Sequence, residues 1–145
     1  MTDEKDIESA ETFGRTRATM APFLGLLVLV VHQGVFYRWN WEANSPFQIA
    51  VWVGFIILML SLLLTGGGWL LPARVRSIAN DEATQINRMA GITVGFVGAI
   101  VVALLVVVVS PFEPLPAQRA AHMIASMSLG LAFVGYGAAE LRSLG

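Results

Sequence analysis

Met89-Ala90-Gly91-Ile92-Thr93-Val94-Gly95-Phe96-Val97-Gly98-Ala99-Ile100-Val101-Val102-Ala103-Leu104-Leu105-Val106-Val107-Val108-Val109-Ser110 is the stretch that decides the fold, and it holds no charged residue. A helix on the surface of a water-soluble protein shows a polar stripe at a spacing of about 3.6 residues. Here Val94, Phe96, Val97, Ile100, Val101, Val102, Leu104 and Leu105 point in every direction. Only lipid accepts such a helix all round, and the stretch matches the roughly 20 helical residues needed to cross a bilayer core.

Working outward, the same reading finds further apolar blocks, so that four lie near residues 20–39, 47–70, 89–110 and 120–140. The expected fold is therefore all-α: an integral membrane four-helix bundle. Residues 1–19 form a polar, acidic arm and residues 20–145 a single four-span domain. The first block follows nineteen mostly polar residues and has no small-residue cleavage site after it, which reads as an uncleaved span and not a secretory signal. Overall, 56% of residues are apolar and 13% charged, against about 25% charged in an ordinary soluble domain. A net charge of −1 leaves no basic surplus for a phosphate backbone, so the expected partners are the bilayer and other spans, with no nucleic acid. The absence of cysteine removes disulfides, thiolate metal sites and thiol nucleophiles together.

Short translocated loops are depleted of Lys and Arg, which fixes the expected orientation. Lys5, Arg15, Arg17, Arg74, Arg76, Arg88 and Arg142 fall on one side, while only Arg38 and Arg119 fall on the other. Both termini are expected in the cytoplasm. Tyr37, Trp39, Trp41 and Phe47 then make an aromatic belt at the outer interface, with Trp69 at the inner one. Eight Arg against one Lys fits a GC-rich bacterium, hence an inner membrane.

The punctuation agrees with these boundaries. Ser45-Pro46-Phe47-Gln48 has the form of a capping box with proline at the first helical position, so span 2 starts there. It runs toward Gly66-Gly67-Gly68, where each glycine weakens a helix by up to about 1 kcal/mol relative to alanine. Asn80 or Asp81 caps a helical stub, Glu82 to Arg88, that continues into span 3, and Ser110-Pro111 ends it. No soluble catalytic domain fits in the connections, and no internal repeat relates the two pairs of spans.

Spans associate through small residues at their contacts. Span 3 carries Gly91, Gly95, Ala99 and Ala103 at four-residue spacing; span 4 carries Ala121, Ala125, Ser128, Ala132, Gly135 and Ala139 at alternating four and three. The two rows are expected to face one another or a second protomer.

Chemistry is sparse. No Asp, Glu, Lys or Arg lies in the middle of a span, and no zinc, P-loop, nucleophile-elbow or dinucleotide motif is present, so no catalytic residue, metal site or cofactor is assigned. His32 and Gln33 in span 1 are the polar intramembrane residues, and His32 with His122 is the one imidazole pair for a haem. Depth separates that pair: at about 1.5 Å per residue, His32 lies roughly 10 Å inward of Trp39 and His122 roughly 4–5 Å inward of Arg119. The competing reading has His32 and Gln33 hydrogen-bonding across the bundle while His122 meets headgroups or water. Glu140 is expected to pair with Arg88, and Arg142 to snorkel to the headgroups. Asp81-Glu82 with Arg74 and Arg76 reads as a solvated patch. Five carboxylates against Lys5 give residues 3–13 a net charge of −4, for which disorder or a protein contact through Ile7, Ala10 and Phe13 is expected.

Rich packing signal and poor chemistry point to a non-enzymatic accessory or assembly subunit in a homo-oligomer or a larger membrane complex. A small transporter or channel lined by His32 and Gln33, and a haem or quinone protein using His32 and His122, are the alternatives.

Overall fold

The computed structural model describes residues 2–32, 34 and 46–143. All regular structure among them is helical: α1 (Thr2–Leu27) with a π-helical extension (Val28–His32), α2 (Pro46–Thr65), a 3-10 turn (Gly68–Leu70), α3 (Ala73–Ala79), α4 (Glu82–Val109) and α5 (Ala117–Ser143). Four stretches, Glu4–Val31, Pro46–Thr65, Glu82–Val109 and Ala117–Ser143, are long and apolar enough to cross a membrane. At about 1.5 Å per residue, the 20-residue α2 is the shortest, near 30 Å. Arg17, Thr84 and Glu140 meet, so the middle of α1, the start of α4 and the end of α5 share one end of the bundle, called here the polar end.

The helix ends follow local chemistry. Proline opens α2, where its missing N–H costs no helical bond; the capping Ser45 lies outside the described residues. α2 stops at Thr65, short of residue 70, because Gly66 and Gly67 take the left-handed φ values 63° and 74°. Asp81 caps α4, its side chain accepting the Thr84 N–H at 2.9 Å, and Ser110 closes that helix ahead of Pro111. Tyr37, Arg38, Trp39 and Trp41 also lie outside the described residues, while Phe47 and Trp69 are both exposed.

The acidic arm departs from the expectation of disorder. It is the first half of α1, continuous with the span, and it lies along α3 of the same chain. Arg74 Nε stands 3.7 Å from Asp6 Oδ2, and Ala10 and Val75 are buried. The physical reason is a row of small residues, Ala10, Gly14, Ala18, Ala21 and Gly25, that crosses the polar-to-apolar boundary without a break in helical phase. Ala10, Ala18 and Ala21 are all buried. The patch around Arg74 is thus partly covered by the arm instead of being wholly solvated.

α5 is the most enclosed helix and packs against α4 on one face and α1 on another, while α2 lies against it more loosely. Glycines set the close approaches. A methyl group on Gly95 would come within 2.6 Å of Ala132 Cβ and 2.7 Å of the Ser128 carbonyl oxygen, and one on Gly25 within 2.7 Å of the Gly130 carbonyl oxygen. Pro22, which cannot donate to the Ala18 carbonyl, sets its ring against Gly137. Val28, Met59, Leu63, Leu129, Phe133 and Tyr136 fill the centre.

Candidate functional site

The row on α4 bends away from strict four-residue spacing. Within the span Gly91, Gly95, Gly98 and Val102 are buried, at spacings of four, three and four, the 3.5-residue period of a left-handed seam. Opposite them, Ser128 donates to the Gly95 carbonyl at 2.9 Å, Ala132 is buried, and Gly135 lies against Val94 and the Gly91 Cα. Ala139 and Ala103 are half-buried. Ala99, Ala121 and Ala125 diverge from that seam and, with Ser128 at its border and Ile56 and Leu60 of α2, line an open groove of about 500 Å³. One part of the small-residue rows therefore closes α4 on α5, and the other part borders open space.

His122 is 2% exposed, and its ring centroid lies 5.9 Å from that of Trp52 on α2. Burial under Trp52 replaces the expected contact with headgroups or water. Ser126 donates to the His122 backbone carbonyl at 2.6 Å, holding this turn of α5. His32 ends the π-helical segment; its side chain, like Gln33, lies outside the described residues, and the haem pair and the polar path expected from them lie there too. Among the described residues no group of three His, Cys, Asp or Glu side chains stands close enough to hold a metal ion.

The strongest polar constellation is at the polar end, and it is centred on Arg17. Its Nη2 donates to Thr84 Oγ1 at 2.8 Å and to Glu140 Oε1 and Oε2 at 3.4 and 3.3 Å, while Nη1 donates to the Ala79 carbonyl at 3.1 Å. The side chains of Arg17 and Glu140 are 9% and 5% exposed, so this is a buried ion pair. The guanidinium carbon also sits 5.6 Å from the Phe13 ring centroid and 5.9 Å from that of Tyr136, within cation–π range. One side chain of α1 thereby ties together the end of α3, the start of α4 and the end of α5. Glu140 pairs with Arg17 and not with Arg88, because the unbroken α1 carries Arg17 into the bundle while Arg88 turns toward Asn80 Oδ1 at 3.4 Å.

Tyr136 is 1% exposed. Its hydroxyl lies beside the Glu140 carboxylate, and Arg17 Nε is buried without a hydrogen-bond acceptor. Beside this cluster a cavity of about 470 Å³ opens between the arm and the α3–α4 junction, lined by Ile7, Ala10, Gly14, Arg17, Asp81 and Glu140 among others. Asp81 is held below its usual carboxylate range, first by the Thr84 backbone N–H and then by the Thr84 hydroxyl. A carboxylate tied to a guanidinium and acceptors already filled by donors suit a clamp better than a proton-transferring pair.

Sequence reasoning missed Arg17, Thr84 and Tyr136. The available signals were the small-residue row that runs through position 17's end of α1, and the spacing of Phe133, Tyr136, Gly137 and Glu140, which places all four on one face of α5. No family model matches the chain, and no curated protein or solved structure is significantly similar to it.

Proposed function

We propose that the protein is a multi-pass protein of a bacterial inner membrane, with both termini in the cytoplasm, that acts without catalysis as an accessory or assembly subunit. Its working surface is the open groove between α2, α4 and α5, and the occupant is a transmembrane helix of a partner membrane protein.

The observation that carries this reading is the division of the small-residue rows. Gly91, Gly95, Ser128 and Ala132 are used within the chain, whereas Ala99, Ala121 and Ala125 line a groove of about 500 Å³ that no segment of the described chain fills. Small side chains let a foreign helix approach closely, which is how spans associate where no hydrophobic driving force separates protein from lipid. The outward side chains support the membrane setting: Val30, Phe96, Val101, Leu104 and Leu105 are all exposed, and water tolerates such a surface poorly. The asymmetry of seven Lys and Arg against two supports the orientation.

Extraction in mild detergent and reconstitution into nanodiscs test the proposal. The wild-type chain is expected to carry a partner or a second copy with it, and Ala125→Leu, which fills the groove, is expected to release it. Strictly monomeric behaviour in both environments would contradict the reading.

A further inference from the structure

The α4–α5 seam is tight over only part of its length. Gly91, Gly95 and Gly98 set the close approach, whereas farther along α4 the residues that face α5 are branched: Val102, Val106 and Val109. There, at the end of the bundle opposite the polar end, the two helices leave a cavity of about 250 Å³, lined on the α5 side by Met123 and Met127 and by Leu115 of the proline-rich turn. None of these side chains offers water a partner beyond a thioether sulfur, and cavities of that kind stay dry and take apolar ligands. Methionine suits a ligand of changing shape, because its unbranched chain turns about three bonds. Leu105 and Val109 line the cavity and are also exposed, as are Leu104 and Val108 beside them, so it opens sideways onto the apolar outer surface of α4. Its occupant therefore enters from apolar surroundings and not from water. Charge marks where that occupant ends. Arg119 precedes Met123 by four residues and Met127 by eight, so it shares their face of α5 and lies about 6 Å nearer the helix end than Met123. A half-buried cation thus stands just beyond the cavity.

We infer that the cavity holds one acyl chain of a membrane phospholipid, whose phosphate meets Arg119. This inference rests on the membrane setting proposed above, which places Arg119 in the headgroup layer and the cavity below it. A guanidinium fork matches two phosphate oxygens, and an acyl chain supplies the dispersion contacts that the lining side chains lack on their open side. Bound there, the chain packs α4 to α5 at this end as the glycines do in the middle.

The test uses the full chain in dodecyl maltoside, titrated with a phosphatidylglycerol that carries a diazirine near the end of one acyl chain. After irradiation, labelled positions are read by peptide mass spectrometry. Labelling at Met123 and Met127 is expected to saturate as the probe is raised and to fall by more than half when unlabelled phosphatidylglycerol is added in excess. At Leu104, which faces outward, it is expected to rise without saturation. Val106→Phe, which fills the cavity, is expected to cut the labelling of both methionines by more than half and to leave Leu104 unchanged. Arg119→Gln, which leaves the cavity intact, is expected to raise the probe concentration at half-saturation by about threefold. Labelling of the methionines that does not saturate, or that is unchanged in both variants, would overturn the inference while the membrane setting stands. Absence of label at the outward positions as well would overturn that setting and the inference with it.

Discussion

Arg17 shows how much one side chain can organise. It is buried together with Glu140 and donates to three different segments, so removing either partner leaves a charge with nothing to balance it. Glu140→Leu is expected to destabilise the fold by about 3–5 kcal/mol. The double variant Arg17→Met with Glu140→Leu is expected to recover more than half of that loss, because it also removes the stranded cation. Unfolding in mixed micelles measures both, and simple additivity of the two single variants would contradict the buried-pair reading. Asp81 gives a pH-dependent counterpart. Its carboxyl titrates below its usual range because the Thr84 N–H and hydroxyl favour the charged form. Its contribution is therefore complete above the ordinary carboxylate range and is lost as pH falls through the depressed native value. Asp81→Asn retains a capping oxygen but no charge, so its deficit in stability at neutral pH, about 0.3–1 kcal/mol, is expected to vanish in acid. A deficit that persists there would contradict the assigned cause. At this scale the sequence was only half legible. The cap at Asp81 follows from local rules, whereas the partner of Glu140 depends on which cation a distant helix delivers.

Among the elements, boundaries were legible where glycine and proline act locally: Pro46 opens α2, Gly66 and Gly67 end it, and Ser110-Pro111 closes α4. The contact face of α4 was less so. Strict four-residue spacing picks out Ala99 and Ala103, yet the buried face runs through Gly98 and Val102, because two packed helices follow a seam nearer 3.5 residues per turn. The first helix was misjudged for a related reason. Hydropathy divides it near residue 20, but helical phase does not, and the small face continues from Ala10 to Gly25. The glycine contacts give a paired prediction. Gly95→Ala sets a methyl against Ala132 and the Ser128 carbonyl, where backbone must move, and is expected to cost about 1–3 kcal/mol. Gly54→Ala on α2, with nothing within 4 Å of the added methyl, is expected to be neutral or to gain up to about 1 kcal/mol from helix propensity. Equal effects of the two in an unfolding assay would count against the close α4–α5 crossing.

Across the whole molecule, the distribution of polarity is the governing fact. Charged residues gather along the first two thirds of α1, at the ends of the other long helices and in the connections, and the apolar stretches of α1, α2 and α4 present apolar side chains outward around the enclosed α5. That distribution was legible from hydropathy and from the placement of nine cations, because both depend on composition along the chain and not on which helices touch. The buried polar cluster and the open groove depend on tertiary packing, which a single sequence does not encode in any local pattern. Both proposals rest on one placement: the polar end lies in the cytoplasm and the apolar midsection in the bilayer. The cysteine-free chain allows it to be tested cleanly with single exposed positions, Ser77→Cys in the polar-end connection and Glu113→Cys in the opposite one. With a membrane-impermeant maleimide on intact spheroplasts, Glu113→Cys is predicted to label at once and Ser77→Cys only after the membrane is opened. Labelling in the reverse order, or recovery of the protein in the soluble fraction, would contradict the account.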